Sequence, residues 1–362
     1  MADVIGVMPE AVTERRGAAL RDERAIRIWL WISVGLIFLM VLVGGATRLT
    51  ESGLSITEWK PIAGALPPLS QADWLAEFEK YKQIPQYKEL NAGMTLARFK
   101  TIFYWEWGHR LLGRLIGLVF ALPLLVFWMR GALTPRLRNQ LLAVLALGAL
   151  QGAVGWWMVK SGLVGRIEVA QERLAIHLLL ASVTMVAIVW IAVGLRPASD
   201  PLSESRAAHT RFGAYAVLAL TLIQIGLGAL VAGLRAGYTY NTWPLMDGRF
   251  VPPWENLARL EPGWLNLLDN PTTVQFQHRM VGYALAVLAF AHLVQAFRAA
   301  RGKPPCKRAL AIVAMTLLQI ALGVATLLTV VQIHVALTHQ ALAMAILLMA
   351  ATQARRLNLA AR

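Results

Sequence analysis

Four of the seven histidines in this 362-residue sequence lie at positions that repeat between its two halves. The motif EWGHR around His109 matches QFQHR around His278, and HLLLA at His177 matches HQALA at His339. Two imidazoles that face each other inside a helical bundle are suitable axial ligands for a haem iron. The repeat therefore predicts one haem-binding pair in each half, His109 with His177 and His278 with His339.

The residue pattern alone also allows roles without haem for these histidines. Each histidine could be a hydrogen-bonded packing residue or part of a proton relay, although four symmetric positions favour a shared ligand role. Zinc is less suitable, because neither half supplies a third cysteine or carboxylate ligand at a matching position. Of the remaining histidines, His209 falls in a predicted loop, and His292 lies ~21 Å beyond His278 along its helix. His334 is a rival ligand to His339 but has no counterpart in the first half.

A carboxylate beside one histidine pair distinguishes the two halves. Glu106 precedes His109 by three residues, so on a helix the two side chains lie on nearly the same face. The matching residue in the second half, Gln275, cannot ionise. The carboxylate either forms an ion pair with Arg110 or Arg48, or handles protons beside a haem in one bundle only. The second alternative predicts that one pair performs chemistry while the other holds a cofactor.

Eight apolar segments are long enough to carry these histidines into a membrane, since a spanning helix needs about 20 mostly apolar residues. The segments are 27–47, 103–129, 139–159, 172–195, 212–232, 274–297, 308–330 and 335–354. A polar stretch with several acids precedes the first segment, which is typical of a retained helix and not of a signal or transit peptide. The sequence thus predicts an all-α integral membrane protein with eight transmembrane helices.

The composition agrees with a membrane protein. Hydrophobic residues make up 57% of the chain and charged residues 15%, and the mean hydropathy is +0.54. A soluble domain has about 25% charged residues, so an ordinary cytosolic enzyme and a disordered chain are both excluded. The single cysteine, Cys306, excludes a disulfide framework, a CxxC redox pair and a cysteine-rich metal site.

The net charge of +15 is an orientation signal and not an indication of nucleic acid binding. The two tails with the adjoining Arg27 and Arg355, together with the loops near 130–138, 196–211 and 298–308, hold 19 Lys and Arg against 7 Asp and Glu, whereas the alternate loops hold 13 against 12. By the positive-inside rule, the first set is cytoplasmic. We therefore expect a multi-pass protein of a bacterial inner membrane, with both termini in the cytoplasm and the four repeated histidines near the periplasmic side.

The repeat also predicts the architecture. Each half has four spans, so both halves insert the same way up and form a parallel repeat. We expect two pseudo-symmetric four-helix bundles, residues 27–197 and 212–355. A cytoplasmic linker, 198–211, joins them, and cytoplasmic tails, 1–26 and 356–362, flank them.

Two long outer loops, 48–100 and 233–272, follow the first helix of each half. Each has an arginine near its start, Arg48 or Arg235, which is either a partner for haem propionates or a surface arginine at headgroup level. We interpret the aromatic residues in and after the first loop as an interfacial belt. They are Trp59, Trp74, Phe78, Tyr81, Tyr87, Tyr104, Trp105 and Trp107. Loops of this length also offer surfaces through which a homo-oligomer could form.

Several long motifs in these loops and helices resemble the haem A synthase family. They are GGATRLTESGLSITEWKP from residue 44, EWGHR from 106, YNTWPLM from 240, NPTTVQFQHR from 270 and THQ from 338. The resemblance covers residues from about 27 to 355. It is similar to the branch found in alphaproteobacteria and mitochondria, because the outer loops lack the cysteine pair of another bacterial branch.

The resemblance implies oxidation of the C8 methyl group of haem O to a formyl group, which gives haem A for terminal oxidases. The family reaction passes through an alcohol and a diol that loses water. By similarity, His278 and His339 bind the iron of a haem b cofactor, His109 and His177 hold the substrate haem, and Glu106 is the acid essential to oxidation. The implied partners are haem O, handed over by haem O synthase, an electron donor that the sequence does not identify, and membrane lipid.

Two other functions would use the same ligands. A bis-histidine di-haem electron-transfer protein normally places its haems at two depths, whereas the four histidines are predicted at one depth. A haem exporter needs a path to the cytoplasmic face, for which only His292 is an indication. The contrast between Glu106 and Gln275 favours an enzyme, an oxidoreductase.

Overall fold

The computed structural model describes residues 10–196 and 204–360, with side chains described from residue 22 and from residue 206 in these two stretches. Within them, eight helices are long and apolar enough to cross a membrane, as the sequence predicts. We label them α1 (Glu10–Leu49), α2 (Leu96–Met129), α3 (Pro135–Gly162), α4 (Gln171–Gly194), α5 (Glu204–Gly233), α6 (Pro271–Ala300), α7 (Pro304–Leu328) and α8 (Ile333–Leu359). Parts of the predicted tails and linker, residues 1–9, 197–203 and 361–362, lie outside the described residues.

Seven of the eight helices are longer than the apolar segments that predicted them, and α4 has the same length. α2 begins at Leu96, well before the predicted start at residue 103, because the Thr95 side chain accepts a hydrogen bond from the backbone N–H of Arg98 at 3.3 Å. Such a cap stabilises a first turn whatever its hydropathy. α5 already begins at Glu204, so the predicted linker 198–211 is helical in its second part. His209 therefore lies on an exposed helical face and not in a loop.

The helices pack as two sets of four neighbours. In the first set α1 contacts α2, α2 contacts α3, α3 contacts α4, and α4 closes the ring on α1. In the second set α5, α6, α7 and α8 make the same sequence of contacts, and α8 closes on α5. Between the sets, α4 packs against α5 and α8, and α1 packs against α8. Each repeated histidine therefore lies on the second or fourth helix of its set.

The main apolar core lies toward the helix ends remote from these histidines. Side chains from both sets meet in it, including the fully buried Leu30, Met185, Val217 and Leu347. Burial of a large aliphatic side chain contributes about 1.5–3 kcal/mol in water, whereas helices in lipid associate mainly through close packing. This core fixes the two sets against each other and leaves the opposite ends to the histidines and the outer loops.

The first outer loop folds into a small packed layer over α2. Its helix Gln71–Tyr81 begins with a capping box in which Ser70 and Asp73 exchange hydrogen bonds of 3.1 Å. A second helix, Pro85–Leu90, follows. The interpretation of the loop aromatics as an interfacial belt is wrong for Trp74, Phe78 and Tyr81, which are buried together with Phe99 and Phe103 of α2. Their ring centres lie 4.9–6.5 Å apart, so they form a local core.

The second outer loop is held by short helical turns and by asparagine side chains. Its helical pieces are Ala236–Tyr238, Trp254–Leu257, Gly263–Leu265 and Asn266–Asp269. Asn270 is fully buried, accepts a hydrogen bond from the N–H of Thr272, and donates to the carbonyl of Asn256 at 2.8 Å. The cap and the loop contact together fix where α6 begins, and α6 carries His278.

Candidate functional site

The histidine pair of the second half comes from α6 and α8, which lie opposite each other in their set. The ring centres of His278 and His339 are 6.5 Å apart, and the ring planes meet at 75°. An iron bonded to two imidazoles at about 2 Å each holds the ring centres roughly 6 Å apart. The donor set and the separation of this pair therefore fit a bis-histidine haem.

The pair of the first half comes from the equivalent helices. His109 lies on α2 and His177 on α4, the second and fourth helices of this set. His109 lies in the fourth turn of α2 and His177 in the second turn of α4. The two positions differ because α2 begins at Leu96, before the apolar segment that predicted it. Each pair predicted from the repeat is thus found on opposite helices of one set.

All four histidine rings pack against a glycine on the preceding long helix. A Cβ atom added to that glycine would lie closer to the ring than real Cβ contacts normally allow. The pairs and these distances are His109 with Gly44 (3.0 Å), His177 with Gly155 (2.9 Å), His278 with Gly228 (3.2 Å) and His339 with Gly323 (2.9 Å). The glycines form a cradle that a larger side chain would fill, which fits rings that must keep one position to bind a metal.

Glu106 is buried, with 2% of its surface exposed, and its carboxylate accepts four hydrogen bonds. Oε1 accepts from Nε and Nη2 of Arg110 at 3.1 and 2.6 Å. Oε2 accepts from the Ser55 hydroxyl and the Ile56 N–H, both at 2.8 Å. Of the two ion pairs considered from the sequence, the one with Arg110 is present. Arg110 also donates to the carbonyls of Ile56 and Glu58, so this group fastens the outer loop to α2.

Gln275 and Arg279 occupy the equivalent places in the second half, with different partners. Gln275 donates to the carbonyl of Tyr240 at 3.1 Å, and its buried Oε1 has no hydrogen-bond partner. Arg279 donates to the same carbonyl at 3.1 Å, and its buried Nη1 has none. Among the described side chains, residues 22–196 and 206–360, no carboxylate forms an ion pair with Arg279. The arginine beside the first pair of histidines, Arg110, does form one, with Glu106.

Comparison with known proteins agrees with these features. A model of the family described as cytochrome oxidase assembly protein matches residues 27–351. A heme A synthase of Beijerinckia indica is 56% identical over 340 residues, which cover 94% of this chain and 95% of the relative. The chain belongs to this family. A heme A synthase of Rhodopseudomonas palustris (strain BisA53) is 57% identical over 340 residues, 94% of this chain and 93% of the relative, and one of Agrobacterium fabrum is 54% identical over 327 residues, 90% and 88%.

Membership of the haem A synthase family confirms the resemblance drawn from the sequence motifs. It establishes an involvement with haem, and the eight apolar helices establish a multi-pass membrane protein. The roles of the individual histidines, arginines and Glu106 are proposals.

The two arginines predicted to bind propionates, Arg48 and Arg235, converge on one carboxylate. Arg48 binds Glu168, in the loop between α3 and α4, at 2.5 Å. Arg235 binds the other oxygen of Glu168 and also binds Glu51 at 2.5 Å. Partial burial lowers the pKa of Arg235, but the hydrogen bonds to Glu168 and Glu51 outweigh this effect and raise it above its usual value. The network ties the starts of the two outer loops together.

The other histidines lie apart from both pairs. His334 is exposed in the first turn of α8. His292 is buried on α6, where its Nε2 lies 3.1 Å from the amide nitrogen of Gln353. The glutamines and glycines that support the repeated histidines were assigned no role from the sequence, although the runs LQGAVG from residue 150 and LQIALG from residue 318 match each other.

Proposed function

We propose that this protein is a haem A synthase, an oxidoreductase that converts the C8 methyl group of haem O into a formyl group. Two successive hydroxylations give an alcohol and then a diol, and the diol loses water. The observation that carries the proposal is the contrast between two equivalent histidine pairs, of which only one has a buried carboxylate beside it. The names of the relatives support the same reaction.

The second set of helices, within residues 212–355, is proposed to hold a haem b cofactor. His278 and His339 would bind its iron, as their 6.5 Å ring separation supports. Bound there, haem b would supply one-electron transfer to the neighbouring site. The unpartnered Nη1 of Arg279 makes this guanidinium suited to a propionate, because a forked donor pairs well with a carboxylate.

The first set, within residues 27–197, is proposed to hold the substrate. His109 and His177 would bind the iron of haem O and so fix the position of its ring. Glu106 lies one turn from His109 on α2 and is held in one orientation by its four donors. A group fixed in this way can hold or pass a proton at a defined place, as general acid–base catalysis requires.

The proposed route for that proton begins at Ser55. The Ser55 hydroxyl lies 2.8 Å from Oε2 of Glu106 and belongs to the outer loop, so it joins the buried carboxylate to the loop. A hydroxyl can donate and accept at once. We propose that protons reach or leave Oε2 through Ser55, while Arg110 holds Oε1 and keeps the carboxylate in place.

Arg48 and Arg235 are retained as proposed contacts of haem propionates. Nε of Arg48 is buried without a partner, which leaves it a donor to offer beyond its ion pair with Glu168. Both arginines lie at the ends of α1 and α5 that also carry the glycine cradles Gly44 and Gly228. A propionate at either position would compete with Glu168 for the guanidinium.

The proposed setting is a bacterial inner membrane, with both termini in the cytoplasm and the two haem sites near the periplasmic side. The distribution of Lys and Arg supports this orientation. Haem O would be handed over by haem O synthase, and a separate donor would supply electrons. A di-haem electron carrier is not favoured, because neither pair of such a carrier needs the carboxylate that Glu106 provides.

Chromatography of extracted haems tests the proposed function. The protein is expressed with a supply of haem O, and the bound haems are extracted and separated. Wild type should contain haem A or its hydroxylated intermediate, and Glu106→Ala should lose most of it. The matched control, Gln275→Ala, should keep it. Wild type without any modified haem would contradict the proposal and favour the electron carrier.

A further inference from the structure

Three of the four histidines each contact a second residue of the preceding helix, in addition to the glycine. One turn before the cradle glycine stands a glutamine whose side chain reaches the histidine. The pairs are Gln151 with His177, Gln224 with His278, and Gln319 with His339. Each glutamine Nε2 donates to the backbone carbonyl of its histidine at 2.9–3.0 Å. The positions i and i+4 lie on one face of a helix, so amide and glycine act on the same ring.

The glutamine amide also contacts the imidazole ring itself. Nε2 of Gln151 and of Gln224 lies 3.1 Å from Nδ1 of the histidine, and Nε2 of Gln319 lies 3.4 Å from Nε2 of His339. The Oε1 atoms of all three glutamines are buried and have no hydrogen-bond partner. An amide carries both a donor and an acceptor. A half-turn of the amide would bring Oε1 to the ring, where it can accept a hydrogen bond from the N–H that a metal-bound imidazole carries on its other nitrogen, the contact that normally orients such a ligand.

The fourth histidine, His109, has Met40 where the others have glutamine. Met40 precedes Gly44 by one turn, as Gln224 precedes Gly228. Its methyl carbon lies 3.2 Å from a Cβ built on Gly113, and Nε2 of Gln224 lies 3.3 Å from a Cβ built on the equivalent Gly282. The thioether thus occupies the place of the amide. It has no N–H and only a weakly accepting sulfur, so it cannot fix the orientation of the ring.

The His109 ring is turned over relative to the other three. The ring atom nearest its glycine is Nε2 in His109, but it is Cε1 in His177, His278 and His339. A half-turn of an imidazole about its Cβ–Cγ bond exchanges these two atoms. His109, the ring without a glutamine beside it, therefore presents to its glycine the opposite edge from the other three rings.

We propose that Gln151, Gln224 and Gln319 are positioning residues that hold three of the haem ligands in one orientation, and that Met40 leaves His109 free to turn over. His109 is then the ligand that releases the iron when the substrate haem enters and the product leaves. This inference rests on the proposed function. It accounts for why one pair, with two amide supports, keeps its haem while the other pair, with one, exchanges it.

Haem release measures this difference directly. Each variant is purified with its haem b, the first site is filled with ferric haem b, and excess apomyoglobin is added as an acceptor. We expect two phases for wild type, a fast one from the first site and a slow one from the second. Met40→Gln should slow the fast phase about 10-fold, the lower end of the effect of a ligand-orienting residue. Gln224→Met should accelerate the slow phase by about 10- to 100-fold.

Two further variants test whether the effect comes from the orientation of the histidine ring or from the size of the neighbouring side chain. Met40→Leu keeps the size and the apolar character of the side chain and should leave both phases unchanged. Gln151→Met should accelerate the fast phase and leave the slow phase unchanged. The electron paramagnetic resonance spectrum of the ferric protein provides a second readout, since Met40→Gln should sharpen the low-spin signal of the first site.

The outcomes distinguish this inference from the function on which it rests. Protein that binds no haem at either site would contradict both. Two wild-type phases that none of the variants alters, or a Met40→Leu effect as large as that of Met40→Gln, would overturn the role of Met40 and the glutamines alone.

Discussion

Arg110 donates two hydrogen bonds to one oxygen of Glu106, at 2.6 and 3.1 Å, one turn further along α2. The same guanidinium donates to two backbone carbonyls of the outer loop, at residues 56 and 58. One side chain thus connects the proposed proton-handling group with the loop above the first histidine pair. In the second half, Arg279 has the loop contact, but none of the described carboxylates forms an ion pair with it.

Replacing Arg110 by lysine should test this connection. A lysine cannot reproduce a planar fork that makes four hydrogen bonds to three acceptors, so Glu106 loses its fixed position. We expect Arg110→Lys to lower the yield of modified haem about 100-fold, the scale of a catalytic group displaced by about 1 Å. Its haem b content should stay near that of wild type. Arg279→Lys is the matched control, and an equal loss of modified haem in both variants with haem b intact would contradict the special role of Arg110.

A carboxylate at position 275 should weaken the second site. Gln275→Glu recreates beside Arg279 the ion pair found at Glu106 and Arg110. The guanidinium is then neutralised and no longer available to a propionate. We expect the affinity for haem b to fall about 10-fold, the scale of one charge-assisted hydrogen bond. Titration of haem-free protein with ferric haem b measures the change, and Gln275→Leu, which adds no charge, should retain the wild-type affinity.

Alanine at the cradle glycines should displace the histidine rings. A Cβ at position 323 would lie 2.9 Å from Cε1 of His339, and one at position 155 would lie 2.9 Å from Cε1 of His177. We expect Gly323→Ala to lower haem b affinity by about 10- to 100-fold and Gly155→Ala to lower affinity for the substrate haem to a similar extent.

Gly152 provides the control for this pair of variants. It lies on the same helix as Gly155, and a Cβ there would meet nothing within 4 Å. Gly152→Ala should therefore leave both haem affinities unchanged and favour the helix slightly. Equal losses in the Gly152 and Gly155 variants would show that helix α3 responds to any added methyl group and not to contact with the histidine.

The network around Glu168 should contribute to stability. Glu168→Gln removes the charge that Arg48 and Arg235 share, and the side chain is 17% exposed. Because partly exposed ion pairs are screened by water, we expect a loss of about 1 kcal/mol, or roughly 1–2 °C in the thermal unfolding of the detergent-solubilised protein. The loss should shrink at high salt. An unchanged Tm together with a higher haem affinity would instead indicate that the arginines act mainly on propionates, for which Glu168 competes.

The long helices could be predicted from the sequence because a membrane span needs a long apolar run and hydropathy measures that property directly. Helix starts were predicted less well. The early turns of α2 and α5 are polar or capped, and caps such as Thr95 act through hydrogen bonds that hydropathy does not register. The aromatic layer of the first outer loop was also missed, since Trp74 and Tyr81 have the composition of an interfacial belt and only their tertiary packing distinguishes the two.

Only part of the candidate site could be predicted from the sequence. The four histidines and the contrast of Glu106 with Gln275 were visible as a repeat, because both halves preserve the residue types at equal spacing. The partner of Arg48 and Arg235 was not visible, since Glu168 lies 120 and 67 residues away and belongs to neither motif. The support of His177 by Gln151 likewise depends on which helices pack together.

The central claim is that two equivalent histidine pairs hold two different haems. The most direct measurement is the haem composition of purified His109→Ala and His278→Ala proteins, expressed with haem O and resolved by chromatography. We expect His109→Ala to keep its haem b and to lose haem O and haem A, and His278→Ala to lose haem b. Loss of the same haem in both variants, or full retention of haem b in His278→Ala, would contradict the division of roles between the two halves.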